Sequence, residues 1–329
     1  MRQIIGVSDL GEFGLIARIA ARLGQAGPAP GLLVGPGDDA AVVRAPDGQV
    51  VVSTDLLVEG VHFRRDWSGG YDVGRRAAAA SLADIAAMGA RPTALVVGLA
   101  TPADLALDWV DALTDGLRDE AAATGACVAG GDIVRCPSLT VSVTALGDLQ
   151  GRAPVLRSGA RPGDVVVVAG RLGFAAAGLA LLQAGRGADA LAAAHRRPEV
   201  AYEAAWRLAA LGVTSMIDVS DGLVADLGHV AASSGVAIEL ARDDLPLPAE
   251  LVDAALTVGA DPLSWVATGG DDHAFAATMA SDLALRAMAE IADLPAPVPF
   301  TQVGRVVAGS GVVFVDGPAP ADAGWDHFA

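Results

Sequence analysis

Apolar and polar positions switch repeatedly between a period near 3.6 and a period of two, and the switches divide the chain into helices and strands. Asp9-Leu-Gly-Glu12 has capping-box spacing and predicts a helix through about Leu23. A Gly/Pro-rich connection from Gly24 to Gly37 follows. Val50–Thr54 reads as a strand. Asp72–Met88 reads as a helix, stopped by Gly89 and then Pro92. Ala94–Ala100 is strand-like, Pro102–Thr124 is a long helix with Pro in its first turn, and Ser138–Leu146 alternates as a strand. Gly147–Gly163 is rich in Gly, Pro and Arg and predicts a boundary. Beyond it, Val165–Ala169 is a buried strand, and Gly173–Ala184 and Glu199–Leu211 are helices. Ser215–Val219 leads into a helix from about Leu223 to Ser233, and Val236–Leu240 is a strand. Asp282–Ile291 is a helix, and Val303–Val307 with Gly311–Val315 reads as a closing strand pair. The expectation is a mixed α/β (α+β) chain in two comparable halves, 1–150 and 151–329.

Length supports that division, since single cores rarely grow beyond about 250–300 residues and this chain has 329. Apolar runs such as Val165–Ala169 are far shorter than the ~20 residues of a spanning helix. Asp9 and Glu12 interrupt any apolar segment of a signal peptide. The expected compartment is the cytoplasm, with no membrane partner. Cys127 and Cys136 are the two cysteines; they form neither a disulfide framework nor a Cys-x-x-Cys metal site and read as structural thiols.

The net charge of −17 argues against nucleic acid as a partner. All 22 basic residues are arginine; the sequence contains no lysine. That excludes P-loop and protein-kinase chemistry, which put a lysine on the nucleotide phosphates, and it excludes lysine Schiff bases. A nucleotide bound here must be held by carboxylate-bound metal, arginine and backbone amides.

Such carboxylates recur, most of them beside glycine, at what read as strand ends or turns. They are Gly37-Asp38-Asp39, Ser53-Thr54-Asp55, Gly130-Gly131-Asp132, Asp218-Val-Ser220-Asp221-Gly222 and Gly269-Gly270-Asp271-Asp272. A bare Asp-Gly is most often a turn residue. Several together, three of them behind apolar β-rich segments, suit ligand-binding groups at the carboxyl ends of strands. Asp84 stands apart in an apolar helix, Ser81-Leu-Ala-Asp84-Ile-Ala-Ala-Met88, where a carboxylate requires water, a partner or a metal. The 218–222 segment fails as a calcium loop, because Gly222 falls at position five and His229 at position twelve. Aspartates converging on Mg²⁺ and phosphate fit better.

These residues, in this order, resemble the thiamine-monophosphate kinase family. The resemblance rests on the Asp-rich motifs, on Thr54-Asp55-x-Leu-Val-Glu-Gly-Val-His62-Phe, and on a terminal Gly-Trp325-Asp-His-Phe328; it runs from Gly11 to the last residues. It implies a two-domain aminoimidazole ribonucleotide synthetase-like fold with N-terminal domains pairing in a homodimer. It implies ATP and thiamine monophosphate as substrates, with Mg²⁺ bound by Asp39, Ser53, Thr54, Asp55, Asp84, Asp132, Asp218 and Asp221. Gly131, Asp132, Arg157 and Ser220 would contact ATP, and His62, Asp271 and Trp325 the thiamine phosphate. Asp132, Asp221 and Arg157 would carry the transfer. The chain departs from the family at Gly-Gly-Asp271-Asp272-His273, where Gly-Gly-Glu-Asp-Tyr is usual, at Leu56 for Thr and at Ala83 for Ser.

The residues themselves suit this chemistry. A phosphate nucleophile is already ionised near neutral pH and requires no base, so positioning and charge neutralisation carry the reaction. Two alternatives stand beside it. One is a relative acting on another acceptor, such as aminoimidazole ribonucleotide synthetase; the selenophosphate and hydrogenase-maturation relatives work through cysteines this chain lacks. The other is a metal-binding relative without catalysis.

Overall fold

The computed structural model describes residues 7–24, 31–34, 42–187, 190–318, 320 and 324–325. The chain divides into two compact units, Met1–Ile85 with Ala90–Arg152, and Ala86–Gly89 with Ala153–Ala329. Among the described residues no helix is long and apolar enough to cross a membrane.

The first unit runs α1 (Val7–Leu23), β1 (Leu32–Val34), β2 (Val42–Val43), β3 (Val51–Val58), α2 (Gly70–Ala87), β4 (Arg91–Thr101), α3 (Leu107–Thr124), β5 (Cys127–Arg135) and β6 (Thr140–Asp148). Strands β3-β6-β4-β5 form one sheet, antiparallel except for the β4–β5 pair. One face packs on the apolar side of α2, where Ala77, Ala78, Leu82 and Ile85 are fully buried. The other face leaves Val52, Leu56 and Val96 at 63%, 54% and 39% exposure. Helices α2 and α3 approach backbone to backbone: a Cβ on Gly74 would lie 2.2 Å from the Leu113 carbonyl oxygen. Helix α1 is clamped to α3 by Arg18 on Asp111 and Arg22 on Asp115, a match between two i,i+4 ladders.

The second unit runs β7 (Val165–Ala169), α4 (Phe174–Gln183), α5 (Ala190–Arg196), α6 (Tyr202–Leu211), β8 (Ser215–Val219), α7 (Leu223–Ser234), β9 (Ala237–Leu240), α8 (Ala249–Val258), α9 (Pro262–Thr268), β10 (Ala274–Met279), α10 (Ser281–Ala292), β11 (Phe300–Val307) and β12 (Gly311–Phe314). Its sheet has the order β12-β9-β11-β7-β10-β8 and is antiparallel except for β12 on β9. Val166, Val168, Ile217, Val219, Ala274 and Ala276 join α4, α7, α8 and α9 in one core. Helix α10 packs on β7, β11 and α6. Burial on both sides explains why β7 carries a continuous apolar run rather than alternation, and why the two polar residues of β8, Ser215 and Asp218, are buried with side-chain partners.

Four expectations change. Helix α1 begins at Val7, so Asp9 lies within its first turn rather than capping it. Helix α3 begins at Leu107, not Pro102, because Ala106 is extended as its N-cap and Pro102–Leu105 closes a separate turn. Strands β11 and β12 do not pair with each other; β9 is inserted between them. Ser53–Asp55 and Asp132 lie inside strands rather than at their ends, because β3 stays paired with β6 through Val58 and β5 continues to Arg135.

Candidate functional site

Alternation along β3 sorts three consecutive candidates onto two faces. Ser53 and Asp55 share the half-buried side with Leu57, while Thr54 lies on the exposed side with Val52 and Leu56. On the half-buried side α2 supplies partners one turn apart. Ser81 Oγ donates to Asp55 Oδ2 at 2.6 Å and is shared with the Val143 carbonyl at 2.9 Å. Ser53 Oγ donates to Asp84 Oδ2 in a short contact. Asp84 is therefore half-buried against the sheet, not on a solvent face. The result is a strand–helix seam of two carboxylates and two hydroxyls. Thr54 instead bonds the Val143 carbonyl at 3.2 Å and the Thr144 hydroxyl at 3.0 Å, both on β6.

His62 follows β3 in a tight turn. Its Nδ1 accepts the Val58 N–H at 3.0 Å, which puts the ring proton of the neutral form on Nε2. Asp132 lies in the exposed outer part of β5, opposite Gly98, and its Oδ1 accepts the N–H of Ile133 at 2.9 Å. Gly131 precedes it because a Cβ there would lie 1.9 Å from the Val97 carbonyl oxygen. Asp39 lies outside the described residues.

In the second unit, Asp218 is buried at the end of β8, with Oδ2 3.1 Å from Nδ1 of His273. The chain then turns through Ser220, Asp221 and Gly222 into α7. Oδ2 of Asp226, one turn into that helix, accepts all three loop amides at 3.0–3.1 Å. Burial and the nearby Asp218 and Asp221 push the Asp226 carboxyl up to about 7, against the pull of those amides. Asp271 is half-buried at φ +66, and its N–H donates to the Ser220 carbonyl at 2.8 Å. The Trp325 N–H donates to the Asp221 carbonyl at 2.9 Å, and its side chain is exposed. The loop thus gathers Asp218, Ser220, Asp221, Asp271 and Trp325.

Arg157 is exposed; Ser234 Oγ holds its carbonyl at 3.2 Å and takes the N–H groups of Gly159 and Ala160 at 3.1 and 3.2 Å. Asp272, next to a substrate candidate, has a different task. Its two oxygens accept the N–H of Ala175, at 2.8 Å, and of Gly173, which caps α4 from outside that helix. Full burial pushes it up to about 7.

Asp226 and Asp272, like Ser81 and His273, are residues to which sequence reasoning gave no role. The only signal for Asp226 was an acid in the first turn of a helix that follows Asp-Gly. Among the described residues no group of three or more His, Cys, Asp or Glu side chains is placed to hold a metal ion; Asp55 and Asp84 meet serine hydroxyls, Asp132, Asp226 and Asp272 meet backbone amides, and Asp218 meets the His273 ring. A cavity of about 420 Å³ beside α4, lined by Arg171, Phe174, Glu199 and Glu250, includes none of the predicted residues. Burial raises the Cys127 thiol, in keeping with a structural role.

Residues 37–149 match the N-terminal domain family of AIR synthase related proteins, and residues 161–317 match the C-terminal one. Across 98% of the chain and 93% of its own length, a thiamine-monophosphate kinase of Mycobacterium tuberculosis is 47% identical. The crystal structure of thiamine-monophosphate kinase from Stenotrophomonas maltophilia is similar with a TM-score of 0.80 and 37% identity, over 94% of this chain and 98% of that one. AaThiL complexed with AMPPCP and TMP is similar with a TM-score of 0.76 and 31% identity, over 98% of this chain and 99% of that one.

Proposed function

The chain belongs to the thiamine-monophosphate kinase family of AIR synthase related proteins, and from that premise we propose that it transfers the γ-phosphoryl group of ATP to the phosphate of thiamine monophosphate. The observation that carries this reading is the 47% identity over 98% of the chain. The relative holding AMPPCP and TMP together supports both substrates.

The reacting oxygen of the acceptor phosphate is ionised, and in-line attack on the γ-phosphorus displaces ADP with no proton to remove. Charge repulsion between the two anions sets the barrier. The donors available fit Mg²⁺, because they are hard oxygens: Ser53, Asp55, Asp84 and Asp132 in one unit, and Asp218 and Asp221 in the other, with Thr54 and Asp39 as further candidates. Mg²⁺ bound there supplies the positive charge that lysine supplies in other kinases. Hydroxyls of Ser53 and Ser81 hold Asp84 and Asp55 in fixed orientation until then.

Gly131, Asp132, Ser220 and Arg157 are assigned to ATP. His62, Asp271 and Trp325 are assigned to the thiamine phosphate, where the indole faces the cationic thiazolium. Asp271 is one methylene shorter than the usual Glu and stands on a left-handed backbone at φ +66. The enzyme is assigned to the cytoplasm. It is assigned a homodimer through the open face of the β3-β6-β4-β5 sheet, whose Val52, Leu56 and Val96 support a covered surface.

The test is ADP release from Mg-ATP with a panel of acceptors. Thiamine monophosphate alone should drive turnover; release with aminoimidazole precursors instead, or with no acceptor at all, would overturn the reading.

A further inference from the structure

The Ser220–Gly222 loop has its backbone engaged on both sides. Its three N–H groups converge on one atom, Asp226 Oδ2, at 3.0, 3.1 and 3.1 Å. The carbonyls of Val219, Ser220 and Asp221 each accept an N–H from a different place: His273 at 2.9 Å, Asp271 at 2.8 Å and Trp325 at 2.9 Å. Two glycines allow that approach. A Cβ on Gly270 would lie 2.5 Å from the Ser220 oxygen, and one on Gly324 would lie 2.3 Å from the Asp221 oxygen. The loop is a hub, and Asp226 is the buried group that holds its inner side.

Three amides converging at the start of a helix are an ordinary binding place for phosphate. In this chain the place is filled from within. We infer that Asp226 is a positioning residue for the transfer: it fixes the loop from which Asp221, Asp271 and Trp325 hang, and it denies the amide nest to the substrates' phosphates. The phosphates are thereby left to cations and to the side chains assigned above rather than to this nest. This inference rests on the function proposed above.

Asp226→Ala and Asp226→Asn test it together with the full-length protein. Asparagine keeps an oxygen where the three amides point; alanine does not. Asp226→Ala should lower kcat/KM on the order of 100-fold for both substrates, the cost of a small displacement of reacting groups. Asp226→Asn should restore most of that loss. Hydrogen exchange at the Ser220, Asp221 and Gly222 amides should quicken at least about ten-fold in Asp226→Ala and stay slow in Asp226→Asn. Titration with inorganic phosphate in EDTA should show binding to Asp226→Ala and none to the native protein.

Amides that stay protected in Asp226→Ala would overturn the inference, whatever the activity. So would native kcat/KM in a variant whose amides exchange freely. Should Asp226→Ala fail to fold, Asp226→Asn decides: a 100-fold loss with its amides protected would mean that charge, not the hub, matters. Exchange and phosphate binding need no turnover. A native enzyme inactive on thiamine monophosphate would thus sink the proposed reaction without touching these two readouts.

Discussion

Asp55 and Asp84 in the first unit face serine hydroxyls, whereas Asp226 and Asp272 in the second face backbone amides. A hydroxyl can turn its proton elsewhere and leave the carboxylate to an incoming cation, because it is donor and acceptor at once. An amide N–H has no such freedom, and a buried one left unpaired is costly. A carboxylate of the first kind can exchange its partner for a ligand; one of the second kind holds the scaffold. On the function proposed above, the partner's chemistry sets Asp55 and Asp84 apart from Asp226 and Asp272, while Asp132 meets a backbone amide through Oδ1 alone.

Substitutions that set activity against stability can break this distinction. The largest effect is expected for Asp55→Ala, which should lower kcat by about 10³ through loss of a carboxylate proposed to bind Mg²⁺, with unfolding in urea nearly unchanged. Turnover within ten-fold of native would place Asp55 among the structural acids. Asp272→Ala should do the reverse. It strips the cap from α4 and orphans two buried amides, costing about 2–3 kcal/mol in urea unfolding.

The same residue predicts a pH dependence. Its carboxyl is raised from 3.8 to about 7 in the folded chain, so folding favours the protonated form. That contribution is complete below the ordinary carboxylate range and is lost as pH rises through about 7. Asp272→Asn cannot titrate there. The stability of Asp272→Asn relative to native should therefore improve from pH 5 to pH 8, on the order of 2 kcal/mol in paired urea curves. A pH-independent difference would show that the carboxylate stays ionised throughout. The smallest effect is expected for Ser81→Ala, which removes one hydroxyl from Asp55; the Mg²⁺ concentration for half-maximal rate should rise about three-fold, equivalent to a net hydrogen bond below 1 kcal/mol.

Much of the architecture was legible where burial imposes a simple pattern. Strands β7 and β8 read correctly to the residue because both faces are covered and every position is apolar or satisfied. Strand β10, Ala274–Met279, escaped notice. Its Ala-rich sequence has little strand propensity, and its place between β7 and β8 makes it a strand. The short helices α5 and α9 escaped for a related reason: about two turns carry too little periodicity to register. Among candidate groups, the need of Asp84 for water, a partner or a metal was readable from its apolar helix; that Ser53 on the sheet meets it was not. The task of Asp272 was not, since Gly-Gly-Asp-Asp places two acids side by side and only the positive φ of Asp271 turns one outward and the other into α4.

Strand β7, completed at residue 169, pairs with β10 and β11, which begin at Ala274 and Phe300. During synthesis its edges therefore wait more than a hundred residues for a mate, while β9 waits for both β11 and β12. At ribosomal speeds of about 5–20 residues per second, that is about 5–20 seconds of sticky, half-built sheet. Nascent chains of this protein are expected to lean on chaperones late, and fragments ending before Phe300 to aggregate.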